Sequence, residues 1–204
     1  MSNKEGKQHV DVLEGLAGRR IVIMATGALG AAFTPSWMGW LTQAAPQTEF
    51  RVVLTPSACQ FVGLTALQAF LRAAPIVDSW SEAGREPLHV ALGQWADGYL
   101  VHPASMSFVS RLCAGLCDSP ALLAIQGSNA PVMVAASAPP GFVDTPVWRG
   151  YQRALEERPN VTLLPPVQGA SAYEPTLSGS PPTMFSEAVI ALASVMSAEQ
   201  RTVK

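Results

Sequence analysis

Charged side chains are scarce in this sequence. Only 14% of its 204 residues are Asp, Glu, Lys or Arg, against about 25% in a typical soluble domain. The net charge is −2 and no basic run occurs, so nucleic acid and anionic membranes are disfavoured as partners. With 49% hydrophobic residues the chain can bury a large core. We therefore expect part of its weakly charged surface to lie in subunit contacts.

Long apolar runs and cysteines are scarce as well. No apolar run reaches the roughly 18 residues that a membrane span needs, and the polar start MSNKEGKQHVDVLEG lacks the apolar core of a signal peptide. The three cysteines, Cys59, Cys113 and Cys117, are too few for a disulfide framework, which favours a cytoplasmic protein. Cys113 and Cys117 are four residues apart, on one face of a predicted helix, but have no Cys/His pair nearby, so buried packing cysteines are favoured over a metal site.

Short apolar runs alternate with helical patterns along the chain. The runs predict buried parallel strands at residues 20–25, 50–54, 75–77, 98–102, 131–136 and 161–164. Helices are predicted up to Pro46 and at residues 63–74, 106–115, 145–157 and 184–196. This alternation predicts a Rossmann-like three-layer α/β/α sandwich with a parallel sheet. We expect a single domain at residues 19–200 after a polar, loosely docked tail at residues 1–18.

Two predicted strands end in turns suited to a ligand. Thr26-Gly-Ala-Leu-Gly-Ala-Ala32 follows the first strand; it does not match GxGxxG, but its glycines permit close approach of a ligand to the backbone. Thr55-Pro-Ser-Ala58 follows the second strand and carries hydroxyls that could hold a phosphate. The alternative role for Ser57 is to cap a helix.

The stretch from residue 88 to residue 118 combines a histidine, a strand and a helix start. His89 precedes a helix-like run, the strand at 98–102 follows, and a Pro-Ala-Ser turn leads into the helix at 106–115. Ligands bind at the carboxyl ends of parallel strands, and a helix N-terminus favours phosphate. The pattern predicts a nucleotide-type site with His89 as acid or base. The alternative is that His89 caps a helix or completes a core hydrogen bond.

Several segments, in order, resemble motifs of the homo-oligomeric flavin-containing cysteine decarboxylases of the flavoprotein family. The resemblance is nearest in type to the peptidyl-cysteine decarboxylases of lanthipeptide, linaridin and thioamide peptide biosynthesis. The segments are Met24-Ala-Thr-Gly-Ala-Leu-Gly-Ala-Ala32, Val53-Leu-Thr-Pro-Ser-Ala58, His89-Val-Ala-Leu-Gly-Gln-Trp-Ala-Asp97, Pro103-Ala-Ser-Met-Ser-Phe108 and Ala114-Gly-Leu-Cys-Asp118.

The resemblance implies a cofactor, a catalytic residue and partners. FMN would be held by Thr26, Gly27, Ala28, Thr55, Ser57, Phe61, Pro103, Ala104, Ser105 and Met106. The implied catalytic residue is His89, and the implied substrate contacts are Ser107, Asp144 and Trp148. The implied partners are a precursor peptide that ends in cysteine and further copies of the chain, as a trimer or dodecamer with the flavin at a subunit contact.

The implied reaction is oxidative decarboxylation of the C-terminal cysteine. A hydride equivalent passes from the Cα–Cβ side of the cysteine to the flavin, and the resulting thioaldehyde is the electron sink that lets the carboxylate leave as CO₂. The aminoenethiol that remains can cyclise onto a dehydrated residue of the same peptide. Two alternatives stay open: another FMN-dependent chemistry, such as that of phosphopantothenoylcysteine decarboxylase or a flavin prenyltransferase, and a non-catalytic flavin-binding subunit.

The sequence also departs from the family pattern. Ser107 stands where the family has Asn, and Ala28 stands where it has Ser. The substrate clamp P-x-M-N-x-x-M-W has no clear copy, and counting back from Trp148 puts Asp144 at the Asn position. A carboxylate there would repel a substrate carboxylate, so Asp144 must turn away, be protonated or lie outside the clamp.

One departure bears on the product. The small-substrate enzymes carry A-C-G-E near the C-terminal end, and its Cys supplies the proton that lets the enethiol be reduced. The matching stretch here is Ser171-Ala-Tyr-Glu174, in which Ala172 replaces that Cys. The resemblance therefore implies that this chain stops at the oxidised enethiol.

Other prominent side chains have structural interpretations. His102 lies inside a predicted strand and is expected to be structural. On the residue pattern alone, Trp95 and Trp148 are more typical of core aromatics than of flavin-stacking groups. Met106 can line a pocket or pack. Arg149 and Arg153 share one face of a predicted helix, where they either meet a peptide carboxylate or remain solvated.

Overall fold

The computed structural model describes residues 13–81, 86–170, 176 and 178–202. Its strands are β1 (Arg20–Ala25), β2 (Glu49–Leu54), β3 (Ile76–Val77), β4 (Gly98–Ser105), β5 (Val132–Ser137), β6 (Val161–Leu164), β7 (Gly169–Ala170) and β8 (Ser178–Gly179). The first six form one sheet in the order β3-β2-β1-β4-β5-β6, with every neighbouring pair parallel. β7 and β8 form a small antiparallel pair.

Helices cover both faces of the sheet, as the alternating pattern predicts. They are α1 (Thr34–Ala44), α2 (Leu64–Gln68), α3 (Leu88–Trp95), α4 (Met106–Cys113), α5 (Pro120–Gln126), α6 (Pro146–Glu156) and α7 (Phe185–Thr202). Ile21 and Ile23 pack on α1, α2 and α7, while Val22 and Met24 pack on α3, α4, α5 and α6. The alternation of strand side chains thus gives two cores and confirms the three-layer sandwich. Among the described residues, no helix has both the length and the apolarity to cross a membrane.

The strand order changes direction between β1 and β4. From β1 the chain steps outward to β2 and β3, then crosses to β4 and continues outward to β5 and β6. Connections on either side of this point run in opposite directions, which leaves a crevice beyond the carboxyl ends of the central strands. The fold therefore places the ends of β1, β2 and β4 around one opening.

An ion pair fixes the opposite end of these strands. Asp97, just before β4, accepts hydrogen bonds from the backbone N–H of Arg20 at 2.9 Å and from its Nη2 at 3.2 Å. Burial alone would raise the pKa of Asp97, but hydrogen bonding and the charge of Arg20 outweigh it and hold the pKa below its usual value. The aspartate of the His89–Asp97 motif is therefore a structural residue.

Part of the segment predicted as a loosely docked tail packs on the domain. Leu13–Leu16 forms a 3₁₀ helix, and Leu16 is only 1% exposed. A methyl group added to Gly15 would collide with the carbonyl oxygen of Ala193 in α7. The prediction of a loosely docked segment up to residue 18 was wrong for residues 13–16, because the two leucines are apolar enough to join the core.

Several predicted elements have different bounds, and two of the differences bear on the local structure. The helix predicted at 63–74 ends at Gln68, because the N–H groups of Phe70 and Leu71 bond to carbonyls three residues back and the chain then approaches Pro75. Residues 103–105, predicted as a turn, belong to β4, and Ser105 pairs with Ser137 of β5. The strand therefore extends to the first residue of α4.

Candidate functional site

A cavity of about 680 Å³ lies at the carboxyl ends of β1, β2 and β4. Its position agrees with the prediction that the ligand turns come from these three strands. Seven of the residues predicted to bind ligand line it: Thr26, Gly27, Thr55, Ser57, Ser105, Met106 and Ser107. Most of these offer hydroxyls or unhindered backbone.

Thr26 joins the ends of β1 and β4. Its Oγ1 donates to the carbonyl oxygen of Pro103 at 2.7 Å and accepts from the N–H of Ser105 at 2.7 Å. A hydroxyl has one hydrogen to donate, and Thr26 is buried, so this hydrogen is not available to an anion. The side chain lines the cavity, but its role is to hold the two strand ends in position.

The turns after β1 and β2 touch each other. A methyl group added to Gly27 would lie 2.6 Å from Cβ of Ser57, so only glycine allows this approach. Thr55 accepts a hydrogen bond from the N–H of Ala58 at 3.2 Å, whereas Ser57 makes no side-chain capping bond. Of the two roles considered for Ser57, capping is therefore absent, and its exposed hydroxyl faces the cavity.

Helix α4 begins at the cavity. Ser105 caps it by accepting a hydrogen bond from the N–H of Phe108 at 3.4 Å. The next two residues, Met106 and Ser107, line the cavity at the first turn, where backbone N–H groups lack intrahelical partners. The positive end of the helix dipole adds to these donors, so this wall suits an anion.

Sequence reasoning missed three charged residues of the cavity. Arg111 pairs with Asp118 at 3.0 Å, and its Nε donates to the carbonyl oxygen of Ser107 at 3.3 Å. Asp78 is buried and holds the start of α5, because it accepts from Oγ of Ser119 at 2.6 Å and from the N–H of Ala121 at 2.8 Å. The sequence carries two signals that could have indicated these residues. Asp78 directly follows a strand, and Arg111 follows Ser107 by one helical turn.

His89 lies beside the cavity rather than in its wall. It is the second residue of α3, not ahead of the helix, and makes no capping bond. Its ring lies 5.7 Å from the ring of Trp80, whose Nε1 donates to the carbonyl oxygen of Asp118 at 2.9 Å. Nδ1 of His89 is buried without a hydrogen-bond partner among the described residues. The indole of Trp80 thus connects the histidine to the cavity wall.

Several predicted site residues lie outside the cavity wall. Ala104 is fully buried, and Pro103 is buried while its carbonyl oxygen accepts from Thr26. Trp148 is 4% exposed and packs in the core under α6, so its position in this chain does not support the predicted substrate contact. The remaining three do not line the cavity either: Ala28, Phe61 and Asp144.

The helix α6 carries the other predicted peptide contacts. Asp144 is exposed just before the helix, and its carbonyl oxygen accepts a hydrogen bond from Nη1 of Arg149 at 2.9 Å. Arg153 is exposed one turn further along. Nothing in these contacts brings the two arginines to the cavity, so the solvated-face interpretation agrees better with the structure.

The second histidine has a structural environment. His102 is 1% exposed, its Nε2 lies 2.7 Å from the carbonyl oxygen of Thr183, and the rings of Trp37 and Phe185 surround it. Burial lowers its pKa to about 4, against the weaker opposing effect of its hydrogen bonds. These contacts agree with the structural role predicted for His102. Trp95 is half-buried, with the guanidinium of Arg51 stacked 4.2 Å from its ring centre.

The cysteines do not form a site. Helix α4 ends at Cys113, so Cys113 and Cys117 do not share a helix face as predicted. Burial raises the pKa of Cys113 to about 11. Within the described ranges, no cluster of three or more His, Cys, Asp or Glu side chains could hold a metal ion. The Ala172 stretch at residues 171–174 lies outside the described residues.

Comparison with known proteins identifies the family. The family model described as Flavoprotein matches residues 10–174. The chain belongs to the flavoprotein family. The cypemycin cysteine dehydrogenase (decarboxylating) of a Streptomyces species is 31% identical over 161 residues, which cover 78% of this chain and 83% of that protein.

Solved structures of similar proteins have the same fold. The cypemycin decarboxylase CypD superposes with a TM-score of 0.72 at 28% identity, covering 91% of this flavoprotein and 97% of CypD. The FMN-dependent cysteine decarboxylase SpaF also gives a TM-score of 0.72, at 22% identity, covering 89% of this chain and 99% of SpaF. The likeness to SpaF shows the fold, and the likeness to CypD agrees with the sequence relationship.

The cavity of this flavoprotein fits a flavin phosphate. The contact between Gly27 and Ser57 brings the turns after β1 and β2 together. A side chain at residue 27 would fill the space between these turns. The hydroxyls of Ser57 and Ser107, which make no hydrogen bond to another described residue, and the first turn of α4 supply hydrogen-bond donors for phosphate oxygens. The donor set is therefore the kind that an anion needs.

Proposed function

We propose that this chain catalyses the FMN-dependent oxidative decarboxylation of a C-terminal cysteine in a ribosomally made precursor peptide, in the cytoplasm. The product is an aminoenethiol. The observation that carries the proposal is the 31% identity to a decarboxylating cysteine dehydrogenase across 78% of the chain. The cavity at the ends of β1, β2 and β4 supports it, because that cavity offers an anion site at the switch point of the sheet.

The phosphate of FMN would be held by the three turns of the cavity. Ser57, Ser107 and the backbone at Gly27 would supply hydrogen bonds, while Ser105 and Thr26 keep the turns in place. Bound flavin supplies an acceptor for two electrons from the cysteine. Atoms and electrons are then balanced in the reaction. The substrate loses CO₂ and two hydrogens and gains a carbon–carbon double bond next to sulfur, and the two electrons pass to the flavin.

His89 is the proposed acid or base at the cysteine sulfur. The imidazole can exchange a proton near neutral pH, and Nδ1 of His89 makes no hydrogen bond to any described residue. His102 is less suited to this role, because it is 1% exposed and its Nε2 is bonded to the carbonyl oxygen of Thr183, although its Nδ1 also lacks a partner among the described residues. The ring of Trp80 lies 5.7 Å from that of His89, in an edge-to-face arrangement.

The proposed assembly is a homo-oligomer, a trimer or a dodecamer. An aromatic patch lies at the starts of α1 and α7 and consists of Phe33, Trp37, Trp40 and Phe185. Met184 precedes Phe185 in the chain. Phe33 is 59% exposed and Met184 is 63% exposed. Phe33 and Trp40 are exposed and contact the half-buried Trp37 and the buried Phe185. Exposed apolar side chains on one surface favour a subunit interface, and Trp37 also lies close to Gly30 and thus to the turn after β1.

Mass spectrometry of short peptides tests the proposed reaction. The purified protein is incubated with a peptide ending in cysteine and with two matched peptides, one ending in serine and one ending in cysteine amide. We expect loss of CO₂ plus two hydrogens from the first peptide alone, because the reaction needs both the thiol and the free carboxylate.

Other outcomes separate the alternatives. Turnover of phosphopantothenoylcysteine but of no peptide would assign the small-substrate reaction. Bound flavin without turnover of either substrate would favour the non-catalytic subunit. Recovery of FAD from the protein, or no affinity for any flavin, would contradict the cofactor assignment.

A further inference from the structure

The cavity wall contains a cation that no motif indicates. Of the described residues that line the cavity, Arg111 is the only one with a positively charged side chain. It stands on α4 one turn after Ser107, so it faces the same side of the helix. A phosphate bound at the start of α4 would therefore lie within the field of this guanidinium.

The contacts of Arg111 leave part of its guanidinium open. Nε donates to the carbonyl oxygen of Ser107 at 3.3 Å, and Nη1 donates to Oδ1 of Asp118 at 3.0 Å. Within the described part of the chain, Nη2 has no hydrogen-bond partner. The side chain is 26% exposed, so it is held against the protein while one edge remains accessible.

The two carboxylates in the cavity wall favour a cation beside an anionic ligand. Both oxygens of Asp78 are engaged at the start of α5, and Asp118 adds a second carboxylate to the wall. Two carboxylates would repel a phosphate dianion if only neutral hydroxyls faced it. The planar fork of arginine matches phosphate oxygens, which makes Arg111 the natural counterion.

We propose that Arg111 binds the flavin phosphate and makes the site select FMN over riboflavin, which lacks the phosphate. Asp118 holds the guanidinium at the cavity wall through an exposed ion pair, which is weak enough to be shared with a ligand. This inference rests on the proposed function, because it assumes that the cavity receives a flavin.

Paired titrations of FMN and riboflavin test the proposal. Quenching of flavin fluorescence gives the Kd of each flavin for the flavin-free protein, for Arg111→Gln, for Arg111→Lys and for the control Arg72→Gln, an exposed arginine away from this cavity. We expect Arg111→Gln to weaken FMN binding by at least about 10-fold and riboflavin binding by less than about 2-fold. The FMN affinity of Arg111→Lys should lie between those of wild type and Arg111→Gln, because lysine keeps the positive charge but lacks the planar fork of the guanidinium.

The outcomes distinguish this proposal from the cofactor assignment. Equal FMN affinity in wild type and Arg111→Gln would overturn the role of Arg111 and leave the flavin assignment intact, whereas no binding of either flavin by wild type would overturn both. Loss of both flavins in Arg111→Gln alone would show a collapsed cavity and overturn the selective role. Wild-type titrations at rising salt provide a second measurement: the affinity for FMN should fall more steeply than that for riboflavin, and parallel curves would contradict the proposal.

Discussion

Two histidines of this chain have surroundings that suit different roles. His102 is enclosed by Trp37 and Phe185 and bonded to the carbonyl of Thr183. His89 contacts Trp80, and its Nδ1 lacks a hydrogen-bond partner among the described residues. Nδ1 of His102 also lacks a partner among the described residues. The two histidines differ in that His102 is almost completely buried and its Nε2 is bonded to the carbonyl of Thr183, and burial disfavours the charged imidazole.

Replacement of His89 by asparagine should separate binding from chemistry. His89 does not line the phosphate cavity, so we expect His89→Asn to retain FMN while decarboxylation falls by at least ~10²-fold, the usual size of an acid/base contribution. CO₂ release from a cysteine-terminated peptide measures the chemistry, and the visible absorbance of the purified variant measures bound flavin. Near-wild-type turnover would show that His89 is structural.

The buried imidazole of His102 should make the fold sensitive to acid. Its folded pKa of about 4 lies below the ordinary value of 6.5, so the unfolded chain binds a proton first as the pH falls. The free energy of unfolding should be unaffected above pH 6.5 and should decrease by up to about 3 kcal/mol as the pH falls from 6.5 to about 4.

Replacement of His102 by glutamine tests this sensitivity. Glutamine can still donate to the carbonyl oxygen of Thr183 and does not titrate, so the decrease across this interval should be smaller in His102→Gln than in wild type. Denaturant unfolding at a series of pH values gives the comparison. An equal decrease in the free energy of unfolding in the two proteins would contradict the assignment of this acid sensitivity to His102.

At the scale of elements, the close contact between two turns controls the shape of the cavity. In Gly27→Ala the added methyl group would lie 2.6 Å from Cβ of Ser57, so the turns after β1 and β2 must separate. We expect FMN affinity to fall by about 10-fold or more, since the phosphate donors on these turns would move apart. Fluorescence titration with FMN measures this loss.

A second glycine provides the matched control. A methyl group at Gly150 in α6 would have no heavy atom within 4 Å, so Gly150→Ala should leave FMN affinity unchanged. It should also stabilise the fold by up to about 1 kcal/mol, since alanine favours a helix interior. Unchanged FMN binding in Gly27→Ala would show that the turns can separate without affecting the site.

The sequence predicts the elements of the sheet well. The six strands and their alternation with helices were predicted because buried parallel strands read as short apolar runs, as at residues 20–25 and 132–137. The end of α2 was not predicted correctly. Apolar residues continue past Gln68 in the sequence, although the backbone leaves the α-helical conformation there. The turns after β1 and β2 and the first turn of α4 were recognised from their small and hydroxyl side chains.

Long-range contacts explain what the sequence could not predict about the site. The hydroxyl of Thr26 is engaged by residues 77 and 79 positions away, and no local pattern indicates such a bond. The family resemblance implied that Trp148 contacts the substrate, whereas the residue pattern favoured a core aromatic, and the structure places its ring in the core. The assignment of individual residues to FMN or to substrate therefore remains a prediction.

At the scale of the whole molecule, the aromatic patch should be covered by another copy of the chain. We expect sedimentation to show a trimer or a dodecamer at micromolar concentration, because exposed groups such as Phe33 and Trp40 would then be buried. Phe33→Glu should weaken this assembly, since a carboxylate is costly to bury at an interface. A stable wild-type monomer at that concentration would contradict the proposed assembly.

The central claim is that electrons from a peptide cysteine reach a bound flavin as CO₂ is lost. The most direct measurement is a single turnover without oxygen, in which the FMN-loaded protein is mixed with excess cysteine-terminated peptide. The account predicts loss of the visible flavin absorbance and release of one CO₂ for each flavin reduced, with no change when the peptide ends in serine. CO₂ release without loss of absorbance, or no change with either peptide, would contradict it.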